Sequence, residues 1–194
     1  MVIDPGCLTE DKAVEGADSI LVTHEHFDHF AEERIRTAAR ANRGLQVWTV
    51  PAVAELLIGM GAQVNVIGHG DRFTTAGFQV EAHGSWHATI HPDIPVIANT
   101  GFLIDRRLFH PGDALTVPDK PVATLMVPIS GLWARISDLI DWVREVSPQR
   151  VLAIHDGMLN PVGAALVDGL LGENGPGINA SYRRLKPAEY LDNL

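Results

Sequence analysis

The chain has 194 residues, of which 46% are hydrophobic and 20% charged, and this balance predicts one soluble globular domain spanning 1–194. The formal net charge of −9 argues against a nucleic-acid or membrane-surface partner, so we expect a small-molecule substrate. No apolar run reaches the ~18 residues of a membrane span, the start lacks a signal-peptide pattern, and the single Cys7 favours a reducing compartment. We therefore predict a cytoplasmic protein.

Hydrophobic periodicity predicts strands with helices between them in both halves of the chain. One predicted helix, 133–146, places Trp133, Ile136 and Leu139 on an apolar stripe that we interpret as core. A glycine-rich connection over 172–178 leads to a predicted polar tail. The other predicted helices cover 30–42, 52–60 and 161–171, and the predicted strands cover 2–3, 19–22, 46–50, 64–67, 72–74, 78–82, 99–105, 108–109, 122–127 and 151–154. This order favours an α/β sandwich of two sheets with helices on both outer faces.

The stretch Thr23-His24-Glu25-His26-Phe27-Asp28-His29 contains three histidines and two carboxylates within seven residues. It follows the predicted strand 19–22 and precedes a predicted helix, so it lies on a loop that a rigid scaffold can aim. Imidazole and carboxylate ligands at this density suit zinc or iron. His24 and His26, two residues apart, can face one ion, and Asp28 and His29 suit a neighbouring ion. The alternative interpretation is a solvated polar loop.

This stretch resembles the T-H-x-H-x-D-H signature of the metallo-β-lactamase-fold hydrolases. Residues 3–6 resemble the I-D-P-G segment that precedes it, 109–113 resemble the segment carrying the bridging aspartate, and 154–157 resemble the strand end carrying the last histidine. The matches span residues 3–157, and they are most similar to short bacterial proteins related to ascorbate-6-phosphate lactonase. The resemblance implies a four-layer αββα sandwich.

The resemblance also implies two divalent metal ions, zinc foremost, with manganese or iron as alternatives. It further implies a hydrolase in which a metal-bound hydroxide, oriented by Asp28, attacks an ester, lactone or phosphodiester. The implied ligands of the first ion are His24, His26 and a later histidine, those of the second are Asp28, His29 and His155, and Asp113 bridges the two.

The later histidine is one of His83, His87 and His91, which all follow the predicted strand 78–82. Family relatives carry this ligand a few residues beyond the strand, which corresponds to His87. His83 follows the strand too closely, and His91 lies further along a loop that can cover the site. We therefore predict His87 as the ligand.

Other residues keep two interpretations. Asp4 is either the partner of a metal-binding imidazole or a turn residue, and Asp156 is either such a partner or a loop residue. His110 lies either at the rim or on a half-exposed strand. Trp86 and Trp133 either line a pocket or, more commonly for aromatic residues, belong to the core.

Two other functional classes remain. Di-iron oxidoreductases of the family resemble this motif but usually have glutamate at the position of His26 and need a flavin domain. A non-catalytic metal-binding scaffold is the second alternative. Relatives also carry a hairpin before I-D-P-G that this chain lacks, so we expect an exposed sheet edge near Val2 and Ile3, covered by a homodimer partner or by another segment.

Overall fold

Two β-sheets form the centre of the protein in a computed structural model, which describes residues 1–60 and 63–192. The first sheet is parallel throughout and has the order β1-β2-β3-β4. The second has the order β11-β10-β9-β8-β7-β6-β5, antiparallel from β5 to β8 and parallel from β8 to β11. The strands are β1 (Val2–Ile3), β2 (Ser19–Val22), β3 (Gln46–Thr49), β4 (Val64–Val66), β5 (Arg72–Thr75), β6 (Phe78–His83), β7 (Gly101–Ile104), β8 (Leu108–His110), β9 (Thr124–Pro128), β10 (Arg150–Ile154) and β11 (Ser181–Arg184).

In the described residues, four α-helices cover the outer faces of the sheets: α1 (Glu32–Ala41), α2 (Pro51–Leu56), α3 (Ile136–Val146) and α4 (Pro161–Leu171). A short 3₁₀ helix, Asp11–Val14, precedes β2. Three apolar clusters join the resulting layers. One packs α1 and α2 on the first sheet, one lies between the sheets around Leu21 and Phe102, and one packs α3 and α4 on the second sheet. The predicted four-layer αββα sandwich is confirmed.

The strands bring distant parts of the chain to one rim, because several polar loops begin at their carboxyl ends. β2 ends at Val22, directly before the histidine-rich stretch. β6 ends at His83, a few residues before His87, and β8 ends at His110, a few residues before Asp113. β10 ends at Ile154, directly before His155. This topology positions the candidate site.

The predicted helix 133–146 is wrong at its start, because α3 begins at Ile136. Ahead of it, the Ala134 amide donates to the Gly131 carbonyl at 3.1 Å and forms a turn. Arg135 has an extended backbone that ends this turn. Trp133 therefore lies outside the helical stripe, and its side chain turns toward the site.

The C-terminal prediction is also wrong, because part of the predicted polar tail forms β11. Val151 pairs in register with Tyr182, and Leu152 with Arg183. Half-buried Tyr182 packs against the cluster of the second sheet, so a strand rich in polar residues still contributes to the core. The tail positions 193–194 lie outside the described residues. The helix predicted over 52–60 is shorter than expected and ends at Leu56.

Two predictions about the whole molecule remain untested. In the described part of the chain, β1 lies at the edge of its sheet and pairs only with β2, as expected. The homodimer that would cover this edge stays a prediction. The single-domain organisation also stays a prediction. No helix within 1–60 or 63–192 is both long and apolar enough to cross a bilayer.

Candidate metal centre

Two groups of side chains that could each hold a metal ion lie at this rim. Within each group, one nitrogen or oxygen atom per residue lies within 4.8 Å of the corresponding atoms of the others. These groups contain all of the residues that were predicted from the sequence to be metal ligands. The first group is His24, His26, His87 and Asp113, and the second is Asp28, His29 and His155.

In the first group, His24 Nε2 and His26 Nδ1 lie 3.1 Å apart, and His87 Nε2 lies 3.4 Å from Asp113 Oδ2. Two nitrogens at ~2.0–2.1 Å from one tetrahedral zinc ion are themselves separated by roughly 3.4 Å. The spacing of these atoms therefore suits a shared ion.

Asp113 lies between the two groups. Its Oδ1 lies 3.2 Å from His29 Nε2 in the second group. Its Oδ2 lies 3.4 Å from His155 Nε2 in the second group and also 3.4 Å from His87 Nε2 in the first. Asp28 Oδ2 lies 3.1 Å from His155 Nε2 on the other side. A carboxylate in the position of Asp113 can contact ions in both groups.

The tautomer of His24 follows from its hydrogen bonds. The Thr23 hydroxyl donates to Asp4 Oδ2 at 2.7 Å, so the Thr23 oxygen accepts from His24 Nδ1 at 2.9 Å. A proton on Nδ1 leaves the lone pair on Nε2, the atom that faces His26. His87 has the same arrangement, since its Nδ1 lies 2.6 Å from the Ala88 carbonyl oxygen and donates to it.

Asp4 supports both halves of the site. Besides the Thr23 hydroxyl, it accepts the Thr23 amide at 2.8 Å and lies 2.8 Å from His29 Nδ1. Its backbone has a φ of 49°, so it is also a turn residue. Asp4 therefore occupies the turn and also orients the His29 imidazole with Nε2 toward Asp113, while metal binding by His29 stays a prediction.

The electrostatics of the site favour binding of cations. Burial holds the pKa of His24 down to about 2, so this imidazole is neutral and can donate a lone pair. Burial alone would lower the pKa of His29, but the carboxylates of Asp4 and Asp113 raise it to about 10. Burial would raise the pKa of Asp113, and the neighbouring histidines His29 and His87 reverse this and hold it well below its usual range.

His155 has a strained backbone, with a φ of 61°. Its carbonyl accepts the Ser130 hydroxyl at 2.8 Å, which helps to hold this conformation. Strained residues persist where the surroundings fix them and are common at functional sites.

The loop of Asp113 requires glycine at position 112. Gly112 has a φ of 65°, and a Cβ atom there would lie 2.3 Å from Asn99 Oδ1 and 2.8 Å from the Thr23 Cβ. That same Asn99 oxygen accepts the Asp113 amide at 3.0 Å, and Asn99 Nδ2 donates to the Pro111 carbonyl at 2.9 Å. Asn99 is fully buried and was missed by sequence reasoning, because it lies far from the ligand motifs.

Trp133 was also misassigned. Its Nε1 donates to Asp113 Oδ2 at 2.9 Å, and its ring centroid lies 6.0 Å from that of His87. Trp86 is 65% exposed, so it does not belong to the core either. The assumption that large aromatic residues are core fails for both.

The remaining candidate histidines lie outside the two groups. His83 is buried and packs against Phe109 with ring centroids 6.0 Å apart, whereas His91 is exposed. His110 is buried rather than half-exposed, and burial lowers its pKa. It lines a pocket of about 360 Å³ together with His155. Asp156 lies on the loop after His155, where it accepts from Arg184 Nη1 at 3.2 Å.

The buried polar atoms test whether this site fits a metal ion. Buried groups normally have hydrogen-bond partners. Within the described residues, four atoms that face one another in the two groups are buried without one: His29 Nε2, His87 Nε2, His155 Nε2 and Asp113 Oδ1. The same is true of His155 Nδ1 and, outside the groups, of Glu25 Oε2 and His83 Nε2. The donor set of the two groups fits divalent ions.

Comparison with known proteins agrees with this geometry. Residues 1–155 match the model of the β-lactamase superfamily domain. The chain belongs to the β-lactamase superfamily. The match contains the seven residues of the two groups, and 156–192, with α4 and β11, lie beyond it.

Several known proteins resemble this chain over most of its length. Protein Rv0786c of Mycobacterium tuberculosis is 35% identical over 179 residues, which cover 89% of this chain and 83% of the relative. A crystal structure described as a metal-dependent hydrolase from Parabacteroides distasonis has a TM-score of 0.70 at 20% identity, covering 94% of this chain and 83% of its own. Igni18, a metallo hydrolase from Ignicoccus hospitalis, has a TM-score of 0.67 at 18% identity, covering 89% and 78%. At these identities the two structures show the shared fold.

Proposed function

We propose that this protein is a dinuclear metal-dependent hydrolase of esters, lactones or phosphodiesters. The observation that carries the proposal is the pair of adjacent ligand groups with Asp113 between them. Its buried Oδ1, together with the unpartnered nitrogens of His29, His87 and His155, is costly to leave unsatisfied. Metal coordination would satisfy all four atoms.

When bound, divalent ions at such a site supply an activated water and Lewis-acid polarisation of the scissile group. The chain's own residues prepare the ligands. Thr23 and the Ala88 carbonyl fix the tautomers of His24 and His87, and Asp4 does the same for His29. These nitrogens would therefore hold the ions without rearrangement.

Asp28 has a second proposed role. Its side chain is 20% exposed, against 5% for Asp113, so it is the carboxylate that solvent and substrate reach more easily. We assign it to orient the attacking water and accept its proton, in addition to contacting the second ion.

Hydrolysis is favoured over the alternative functions by two considerations. Two structurally similar proteins, from Parabacteroides distasonis and Ignicoccus hospitalis, are described as metal-dependent or metallo hydrolases. His26 occupies the position at which related di-iron oxidoreductases usually have glutamate, and its imidazole favours zinc, with manganese or iron as alternatives. Lactones are among the proposed substrates because the sequence motifs resemble those of proteins related to ascorbate-6-phosphate lactonase. The charge balance and single cysteine support a cytoplasmic enzyme with a small-molecule substrate.

The test is metal analysis of the purified protein, followed by a hydrolysis screen of lactones, thioesters and phosphodiesters with and without chelator. We expect about two ions per chain and an activity that the chelator abolishes and added metal restores. Asp113→Ala should lose both the ions and the activity. Asp93→Ala is the matched control, because the Asp93 side chain is 91% exposed. A wild-type protein that binds metal fully but hydrolyses none of these substrates would support the non-catalytic alternative.

A further inference from the structure

Two loops that bring a ligand to the site, and the loop of Trp133, each expose a large apolar side chain. Phe27 lies between His26 and Asp28 and is 71% exposed, and Trp86 precedes His87 and is 65% exposed. Leu132, beside the tryptophan that contacts Asp113, is 84% exposed. Contiguous exposed apolar surface on a protein commonly marks a binding site.

Aliphatic side chains that follow His87 in the sequence lie beside the first group. A small cavity directly borders His26 and His87, and Ile90, Ile94 and Val96 form its wall together with neighbouring residues. Ile94 is 47% exposed and Val96 is 43% exposed. An apolar group beside the first ion would therefore contact these side chains. We call Ile90, Ile94 and Val96 the apolar wall.

The same loops lack cationic side chains. Phosphate groups are usually recognised by Arg or Lys. Arg135, the first cation after Trp133, forms two hydrogen bonds to Asp138, at 3.0 and 3.1 Å. Two further cations lie on the side of the second group, away from the apolar wall. Arg184 donates to Asp156, which lines the pocket there, and Lys186 is next to Pro187, which lines the same pocket. The loops without Lys or Arg are 4–10, 23–31, 84–100, 110–118, 128–134 and 154–160.

From these observations we infer that the substrate is an uncharged carboxylic ester or lactone with an apolar acyl chain that lies against the apolar wall. The inference rests on the proposed hydrolase function and narrows its substrate class. It disfavours phosphorylated sugar lactones and phosphodiesters, which would place negative charge beside aliphatic side chains. In the reaction, the oxygen of water bonds to the acyl carbon, the ester C–O bond breaks, and a proton passes to the departing alkoxide. The products are a carboxylic acid and an alcohol, joined in one molecule when the substrate is a lactone.

The first test compares 4-nitrophenyl acetate, butyrate and octanoate with the metal-loaded protein. Burial of each additional methylene against the apolar wall should raise kcat/KM by about two- to fourfold until the wall is covered. Ile94→Ser should flatten this dependence on chain length. Leu166→Ser is the matched control, because Leu166 is 64% exposed on α4, outside the site, and its substitution should leave the dependence unchanged.

The second test measures binding without turnover. Butanamide and octanamide are uncharged and resist hydrolysis, so calorimetric titration reports affinity alone. We expect octanamide to bind more tightly than butanamide to the wild type and Leu166→Ser, with the difference reduced in Ile94→Ser. Octyl phosphate should bind no more tightly than octanamide.

The outcomes separate the two proposals. If ester or phosphodiester hydrolysis does not depend on the length of the substrate's acyl chain, and the two amides bind equally, the inferred substrate class is wrong but the proposed hydrolase function stands. Absence of all hydrolysis in the metal-loaded protein would overturn both. Conversion of a dimer to a monomer by Ile94→Ser, with unchanged dependence on chain length, would assign the apolar wall to a subunit interface and overturn the inference.

Discussion

At the residue scale, the third histidine of the first group decides whether the ligand prediction is correct. His87→Ala should lower the metal content by about one ion per chain, because it removes a nitrogen that faces Asp113. His91→Ala is the exposed control and should keep full occupancy. His83→Ala should also keep it, because the His83 ring packs against Phe109.

Elemental analysis of the three purified variants measures this directly. Full occupancy in His87→Ala together with loss of an ion in His83→Ala would show that the predicted ligand is wrong.

A second prediction at this scale concerns Asp4, which contacts ligands without being one. In Asp4→Asn only one side-chain oxygen can accept hydrogen bonds. The amide nitrogen either faces the Thr23 amide, which Oδ1 accepts in the wild type, or replaces Oδ2, which accepts from the Thr23 hydroxyl and from His29 Nδ1. We expect metal affinity to fall by about 10- to 100-fold. Competition with a chromophoric chelator measures the affinity.

Asp93→Asn serves as the control for Asp4→Asn, because it changes an exposed acid of the same type. Unchanged affinity in a correctly folded Asp4→Asn protein would show that Asp4 acts only as a turn residue.

At the scale of elements, the sequence predicted the ligand-bearing loops because each ligand lies close to a recognisable apolar strand. His24 follows β2 and His155 follows β10, and such local spacing survives folding. Trp133 was misassigned because its spacing matches a helix, whereas the turn at Gly131 and a hydrogen bond to Asp113 direct it elsewhere. Neither the turn nor the distant partner appears in a local pattern.

The same limit explains β11. Its partner strand, β10, ends more than twenty residues earlier, and its side chains are polar, so no apolar alternation marks it. Arg184 on β11 donates to Asp168 on α4 at 2.8 Å and to Asp156 at 3.2 Å. This strand is held by ion pairs to distant residues and by backbone pairing with β10, and an alternation of apolar residues does not mark it in the sequence.

These contacts predict a pH-dependent contribution to stability. Hydrogen bonds from Arg184, and then from Tyr182, hold the pKa of Asp168 below its ordinary value of 3.8. The contribution is therefore fully present above about pH 4 and is lost as the pH falls through the lowered pKa. Asp168→Asn should reduce the free energy of unfolding by about 1 kcal/mol at pH 7, since the pair is partly exposed, and by less near pH 3.

Urea unfolding of the wild type and Asp168→Asn at both pH values measures this difference. Asp141→Asn is the control, because Asp141 is 77% exposed and lies 3.6 Å from Arg144. An Asp168→Asn effect that is equal at both pH values would contradict the electrostatic explanation.

At the scale of the whole molecule, the exposed edge at β1 predicts association. Val2 and Ile3 pair with β2 on one side, and unpaired backbone groups on an edge strand favour pairing with another chain. We expect a homodimer in solution, unless another segment covers the edge. Light scattering coupled to size-exclusion chromatography measures the mass, and a monomer whose β1 amides exchange rapidly with solvent would contradict the prediction.

The measurement that most directly tests the central claim is anomalous X-ray diffraction from crystals of the zinc-loaded protein. The proposed centre predicts two anomalous peaks within ~4 Å of each other. One should lie among His24, His26 and His87, the other should lie among Asp28, His29 and His155, and Asp113 should contact both. A single peak in a fully loaded crystal, or peaks away from these residues, would contradict the dinuclear site.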